Sequence, residues 1–172
     1  MTTSIVFTFV GADKPGLVEI LSNTVSEYHG NWLESRMSHL AGNFAGIARI
    51  GISRDKAEDL KNALNKASGG ELTITVQEES QRGADSNYQT VSLNLIGNDR
   101  PGIIKELSSA LASLHVNVME MNTNVTSAPM TADPLFEATA SIQIPVSVNI
   151  NDLSDMLDDI GNQLDVDINL ET

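Results

Sequence analysis

Two aspartates stand at the same place in a six-residue turn that this chain of 172 residues contains twice, Gly11-Ala12-Asp13-Lys14-Pro15-Gly16 and Gly97-Asn98-Asp99-Arg100-Pro101-Gly102. A carboxylate ahead of Pro-Gly at the mouth of a helix supports two chemistries. In one, the aspartate is an N-cap that accepts from orphan helix N–H groups, a contribution of about 1 kcal/mol. Proline then occupies the first helical position, where its missing N–H costs nothing. In the other, the turn is a seat for a carboxylate or phosphate. The helix N-terminus carries partial positive charge worth about 0.3–1 kcal/mol to an anion, and glycine lets backbone approach closely.

The remaining inventory holds no catalyst. The chain has no cysteine, so disulfides, thiolate metal sites and cysteine nucleophiles are excluded. His29 and His115 take one repeat-related position at a helix end, where capping of carbonyls is the structural role, and His39 stands alone on a strand. No nucleophile elbow, HExxH, zinc pattern, GxGxxG or phosphate-binding loop is present. Met119, Met121, Met130 and Met156 read as core or gap filling. No cofactor and no metal are expected.

The elements that must position the two turns follow from periodicity. Alternation of Ile5, Phe7 and Phe9 predicts a strand over about 4–10, and Val18, Leu21, Val25 and Tyr28 form one helical stripe after the turn. His29-Gly30-Asn31 ends that helix, with Gly30 as the residue past its C-terminus. Strands over about 32–40 and 44–53, a helix through Ala57, Leu60, Leu64 and Ala67, and a strand through Leu72, Ile74 and Val76 complete the unit. The second copy aligns at an offset of 86, pairing Leu21 with Leu107, His29 with His115, Asn31 with Asn117 and Glu34 with Glu120. Its helix stripe is Ile104, Leu107, Leu111 and Leu114, and a longer connection, Thr126 to Pro134, raises the offset to 92 by Phe136. The pattern β-α-β-β-α-β, twice, predicts an α+β chain of two ferredoxin-like sandwiches in tandem, each a four-stranded antiparallel sheet with helices on one face. The expected division is 1–79, a polar linker at 80–87, and 88–172.

Composition bounds the partners. The net charge is −13, with 7 Lys/Arg against 10 Asp/Glu in residues 1–80 and 3 against 13 in residues 81–172. So acidic a surface repels phosphate backbones, which argues against direct nucleic-acid binding. Asp152, Asp155, Asp158, Asp159, Asp165 and Asp167 lack calcium-loop spacing and read as a solvated face. No apolar run reaches 18 residues and the N-terminus has no basic leader, so no membrane segment is expected and the location is cytoplasmic.

Gly-x-Asp-Lys/Arg-Pro-Gly-Leu/Ile after a hydrophobic strand, then His29-Gly30-Asn31 and His115-Val116-Asn117 opening the second strands, resembles the amino-acid-binding half of the ACT domain family. The resemblance covers both copies. The long hairpin of the second copy, with Ala128-Pro129, Pro134-Leu135-Phe136 and Ile144-Pro145, is similar to the tandem-ACT subgroup of glycine cleavage system transcriptional repressors. The resemblance implies a non-enzymatic regulator that binds a small amino acid such as glycine or serine. It also implies pairing of the two units within the chain, association into a homodimer, and repression through a LysR-type activator protein rather than DNA. Carried over residue by residue, the ligand contacts are Asp13, Asp99, Asn31 and Asn117. The glycines and adjacent backbone, Gly11, Gly16 and Leu17 with Gly97, Gly102 and Ile103, complete the seat. The alternatives are a free-standing sensor that regulates a metabolic enzyme, and a dimerisation module whose turns only cap helices.

Overall fold

A computed structural model describes residues 1–79 and 87–171, and the chain divides into two compact units, Met1–Arg82 and Gly83–Thr172. The linker expected at 80–87 lies, except for Asn87, outside the described residues. In the first unit β1 (Thr2–Ala12), α1 (Leu17–Glu27), β2 (Asn31–Leu40), β3 (Asn43–Ser53), α2 (Ala57–Ala67) and β4 (Leu72–Glu78) follow in that order, with a single 3-10 turn, Arg54–Lys56, before α2. The second unit repeats them as β5 (Tyr88–Asn98), α3 (Ile103–Ser113), β6 (Asn117–Ser127), β7 (Pro134–Pro145), α4 (Ile150–Leu164) and β8 (Val166–Glu171). The sheets run β2-β3-β1-β4 and β6-β7-β5-β8, antiparallel throughout, which is the ferredoxin-like order.

Alternation along the central strand sends Ile5, Phe7 and Phe9 into the first core with Leu21, Val25, Leu60 and Leu64 from the helices. In the second core Val91, Leu93 and Leu95 meet Leu107, Leu111, Leu153 and Leu157. The first core is aromatic, with Phe7 edge-on to Trp32 at 5.8 Å between ring centroids and Phe9 at 5.5 Å from Phe44. The second has Leu93 and Leu95 where the first has Phe7 and Phe9.

Several local expectations need correction. The helix stripes begin one residue earlier than read: Leu17 and Ile103 are buried, while Val18 is exposed and Ile104 only half-buried. A β-bulge at Leu33 and another at Met119 shift the parity of the second strands, so Trp32, Ser35 and Met37 share the inner side. Met119 is therefore exposed at its bulge, and Met130 is 97% exposed on the long connection, so neither is core; Met121 does pack against the second core. The six aspartates of the acidic run are all exposed, and no group of acidic or histidine side chains fit for a metal occurs among the described residues. No described helix is long and apolar enough to cross a membrane.

Candidate functional site

Each turn joins the end of a central strand to a helix start. Gly16 is the residue before α1, with φ 92° and ψ −2°, and Gly102 precedes α3 with φ 99° and ψ −8°. These angles match the third position of a type II turn, which demands positive φ and favours proline just before it. Proline thus sits ahead of the helix rather than at its first position. Neither helix has a side-chain cap, so Asp13 and Asp99 are not N-caps. Their backbone N–H groups instead reach across to the hairpins, Asp13 to the Gly42 carbonyl and Asp99 to the Pro134 carbonyl, both at 2.9 Å. The capping reading fails because the type II turn places glycine where a cap would sit.

The consequence is an open helix mouth. The first in-helix bonds run from Ile20 N–H to the Gly16 carbonyl and from Glu106 N–H to the Gly102 carbonyl, 3.0 Å each. The N–H groups of Leu17, Val18 and Glu19, and of Ile103, Ile104 and Lys105, therefore have no acceptor inside their helices. A Cβ built on Gly16 or Gly102 would meet nothing within 4 Å. Leu17 and Ile103 bury their side chains and offer only backbone to a ligand. Alanine at either glycine meets no clash but must hold positive φ, so Gly16→Ala and Gly102→Ala are each expected to lower the urea-unfolding free energy of their unit by about 1–2 kcal/mol.

The other two glycines of the motif have a packing role. A Cβ on Gly11 would run into the Glu71 carbonyl and lie 2.8 Å from Leu72 Cδ2, and one on Gly97 would lie 2.7 Å from Val166 Cα. They let the central strand approach its β4 or β8 neighbour and present no free surface on the Cβ side. The basic residues are likewise turned onto their own units: Lys14 pairs with Glu71, and Arg100 Nη1 donates to the Leu164 carbonyl at 3.5 Å. Arg100 thereby meets the carbonyl end of α4, where a cation is favourable.

The asparagines lie elsewhere. Asn31 pairs in register with Gly51, whereas Ala12, next to Asp13, pairs with Asn43. Eight residues of β3 separate the two levels, about 26 Å at strand rise. Asn117 and Asn98 are separated by the same count, from Gln143 to Leu135 along β7. Aspartate and asparagine of one unit are thus at opposite ends of its sheet, since α1 carries the chain back before β2 begins. Asn31 instead borders, with His29 and Arg54, a groove of about 810 Å³ near the first residues of β1.

The histidines also depart from expectation. His29 and His115 take positive φ, 58° and 57°, just past their helices. Their backbone N–H groups, bonded to the Ser26 and Ala112 carbonyls, do the capping, with Gly30 and Val116 bonding back to Val25 and Leu111. The exposed imidazoles are not needed for it. Gly30 is not the left-handed residue; a Cβ there would press on Val25 and Ile50 at about 3 Å. His39 is not alone: its Nε2 lies 3.6 Å from Asp13 Oδ2. That neighbour was open to inference from topology, because β2 runs parallel to β1 and ends beside the turn.

Residues 3–77 match the family model of the ACT domain. In structure the chain is similar to a protein of unknown function from Galdieria sulphuraria, with a TM-score of 0.90, 25% identity, and coverage of 99% of this chain and 98% of that one. It is also similar to a candidate glycine cleavage system transcriptional repressor, with a TM-score of 0.72, 19% identity, and coverage of 99% and 97%. No curated protein sequence matches the chain.

Proposed function

We infer, from a chain that carries two ACT-like units in tandem, a non-enzymatic regulatory protein that senses a small α-amino acid, glycine or serine, at its Pro-Gly turns. The observation that carries this reading is the twice-built open helix mouth, with uncapped N–H groups beyond an exposed Asp13 or Asp99. An α-carboxylate suits those N–H groups and an α-ammonium suits the aspartate. Glycine presents both charges on the smallest frame. Asn31 and Asn117 lie at the far ends of their own sheets, so within one unit the aspartate and the asparagine do not hold one small ligand together.

The output is transcriptional, by analogy with the candidate repressor of like fold. A net charge of −13 favours a protein partner, a DNA-bound LysR-type activator, over the DNA itself. A ligand preference of about 1–3 kcal/mol between two arrangements would change partner affinity roughly 5–150-fold.

Isothermal titration with glycine and then serine tests the seat, with Asp13→Ala and Asp99→Ala alongside. Neither aspartate caps its helix, so each variant is expected to keep its stability within about 0.5 kcal/mol. Binding at the altered turn should fall about ten- to a hundredfold, the worth of a hydrogen bond to a charged group. Absence of saturable heat in the unaltered chain for every amino acid would overturn the sensor reading.

A further inference from the structure

The two sheets present different faces on the side away from their helices. In the first, one cross-strand level sets Arg36, Ile47 and Thr8 side by side on β2, β3 and β1, and the next sets Glu34, Arg49 and Val6. Ile47 is exposed, and a shallow, mostly apolar hollow of about 220 Å³ is bordered by Val6, Ile47 and the three charged residues. Exposed Val10 and Leu33 continue the apolar surface at either end. The same two levels of the second sheet hold Asn122, Thr139 and Asn94, then Glu120, Ser141 and Ser92. That face is polar and carries Glu120, Glu137, Asp167 and Glu171, with no lysine or arginine on β5 to β8. On the first face the charges balance: Arg49 lies 3.5 Å from Glu34 and 3.2 Å from Glu79, and Arg36 lies 3.4 Å from Glu34. On a chain of net charge −13, this face is apolar at its centre and locally neutral.

We propose that the open face of the first sheet binds the same face of a second copy, sheet on sheet, with the strands of the two copies running in opposite directions. Glu34 and Arg36 stand two residues apart on one strand and project to one side. A two-fold axis crossing β2 between them therefore sets Arg36 of each copy opposite Glu34 of the other. Val6 and Ile47 lie on the levels either side of that axis, so they meet at the centre of the interface, where exclusion of water counts most. Four strands of about ten residues make a face of roughly 600 Å², so two copies bury about 1,200 Å², the lower end of specific interfaces and enough for a weak dimer. The second sheet's face, with four carboxylates and no cation, repels its own copy and offers the first face no apolar match. This association does not depend on the amino-acid seat.

Sedimentation velocity of the full chain from about 1 to 100 µM tests it, the range in which so small an interface should assemble. The unaltered chain is expected to reach twice the mass of a variant carrying Val6→Ser and Ile47→Thr, which copies Ser92 and Thr139 of the second sheet. Neither side chain belongs to the core, so this variant is expected to fold, and circular dichroism checks it. Glu34→Arg sets arginine against Arg36 of the other copy, and Arg36→Glu sets glutamate against Glu34, so each alone should weaken the dimer at least about tenfold. Mixed in equal amounts, the two charge variants have complementary faces and should regain most of the association. A single-chain mass at the highest concentration overturns the proposal, as does a dimer that Val6→Ser with Ile47→Thr leaves intact. So do charge variants that associate as the unaltered chain does, or whose mixture is no more associated than its parts.

Discussion

Phe7→Ala is expected to cost the first unit a large share of its stability. Phe7 is fully buried on β1, the strand flanked by β3 and β4, and its ring meets both Trp32 and Phe9. Removing it forfeits the transfer free energy of the ring and leaves a cavity bordered by aromatic edges, about 3–5 kcal/mol together. A unit of this size holds roughly 4–12 kcal/mol in all, at 0.05–0.15 kcal/mol per residue. The loss is thus a large share of the total. Trp32 is the only tryptophan of the chain and packs against that core, so its emission reports this unit alone. The midpoint of its urea-induced red shift should fall steeply in Phe7→Ala. Phe7→Leu, which copies Leu93 of the second core, should recover much of it because it refills most of the volume. An unchanged tryptophan midpoint in Phe7→Ala would mean that the aromatic cluster does not hold the unit together.

That the cores can be named from sequence is a consequence of the repeat. Alternation along β1 and β5 and the helical stripes recur at one offset, so each copy checks the other's phase, and element order and sheet order follow from few rules. What periodicity misses is local. Bulges at Leu33 and Met119 turn the strands by one residue with no sequence punctuation, and exposed Met119 shows the cost of assuming an unbroken strand. The turns show a second limit. Asp followed by Pro-Gly satisfies the composition of an N-cap, yet the backbone angles of Gly16 and Gly102 decide the matter, and a type II turn leaves the helix mouths open.

The grouping of site residues was legible only when topology was added to motif. Asp13 and Asn31 belong to one motif along the chain, but a helix of 11 residues between them reverses direction, and they end at opposite ends of the sheet. The same reasoning brings His39, outside the motif, to Asp13. Sequence adjacency within a motif is therefore a poor guide to contact where a helix intervenes. Strand direction is the better one.

Gly97→Ala separates the two roles that the motif's glycines could serve, and it is expected to cost the second unit more than Gly102→Ala does. At Gly102 an added methyl meets only conformational strain, whereas at Gly97 it lies 2.7 Å from Val166 Cα and against the Val166 side chain. Gly97 and Val166 form the last register pair between β5 and β8, so the strands must part there, and Val166 is itself in the core. Such overpacking costs about 1–3 kcal/mol and more where backbone cannot yield. Adding Val166→Ala removes the contact with Cγ1 but not those with Cα and Cβ, each at 2.7 Å, so this double variant should regain only part of the loss. Full recovery would place the strain in the valine Cγ methyl groups alone. Urea titration followed by circular dichroism reads these losses, and glycine titration on the still-folded fraction reads the seat. If Gly97 serves strand packing, stability falls while the remaining folded protein binds as before. If stability holds and binding disappears, the glycine belongs to the ligand seat, and close approach of β5 to β8 is not what fixes it there.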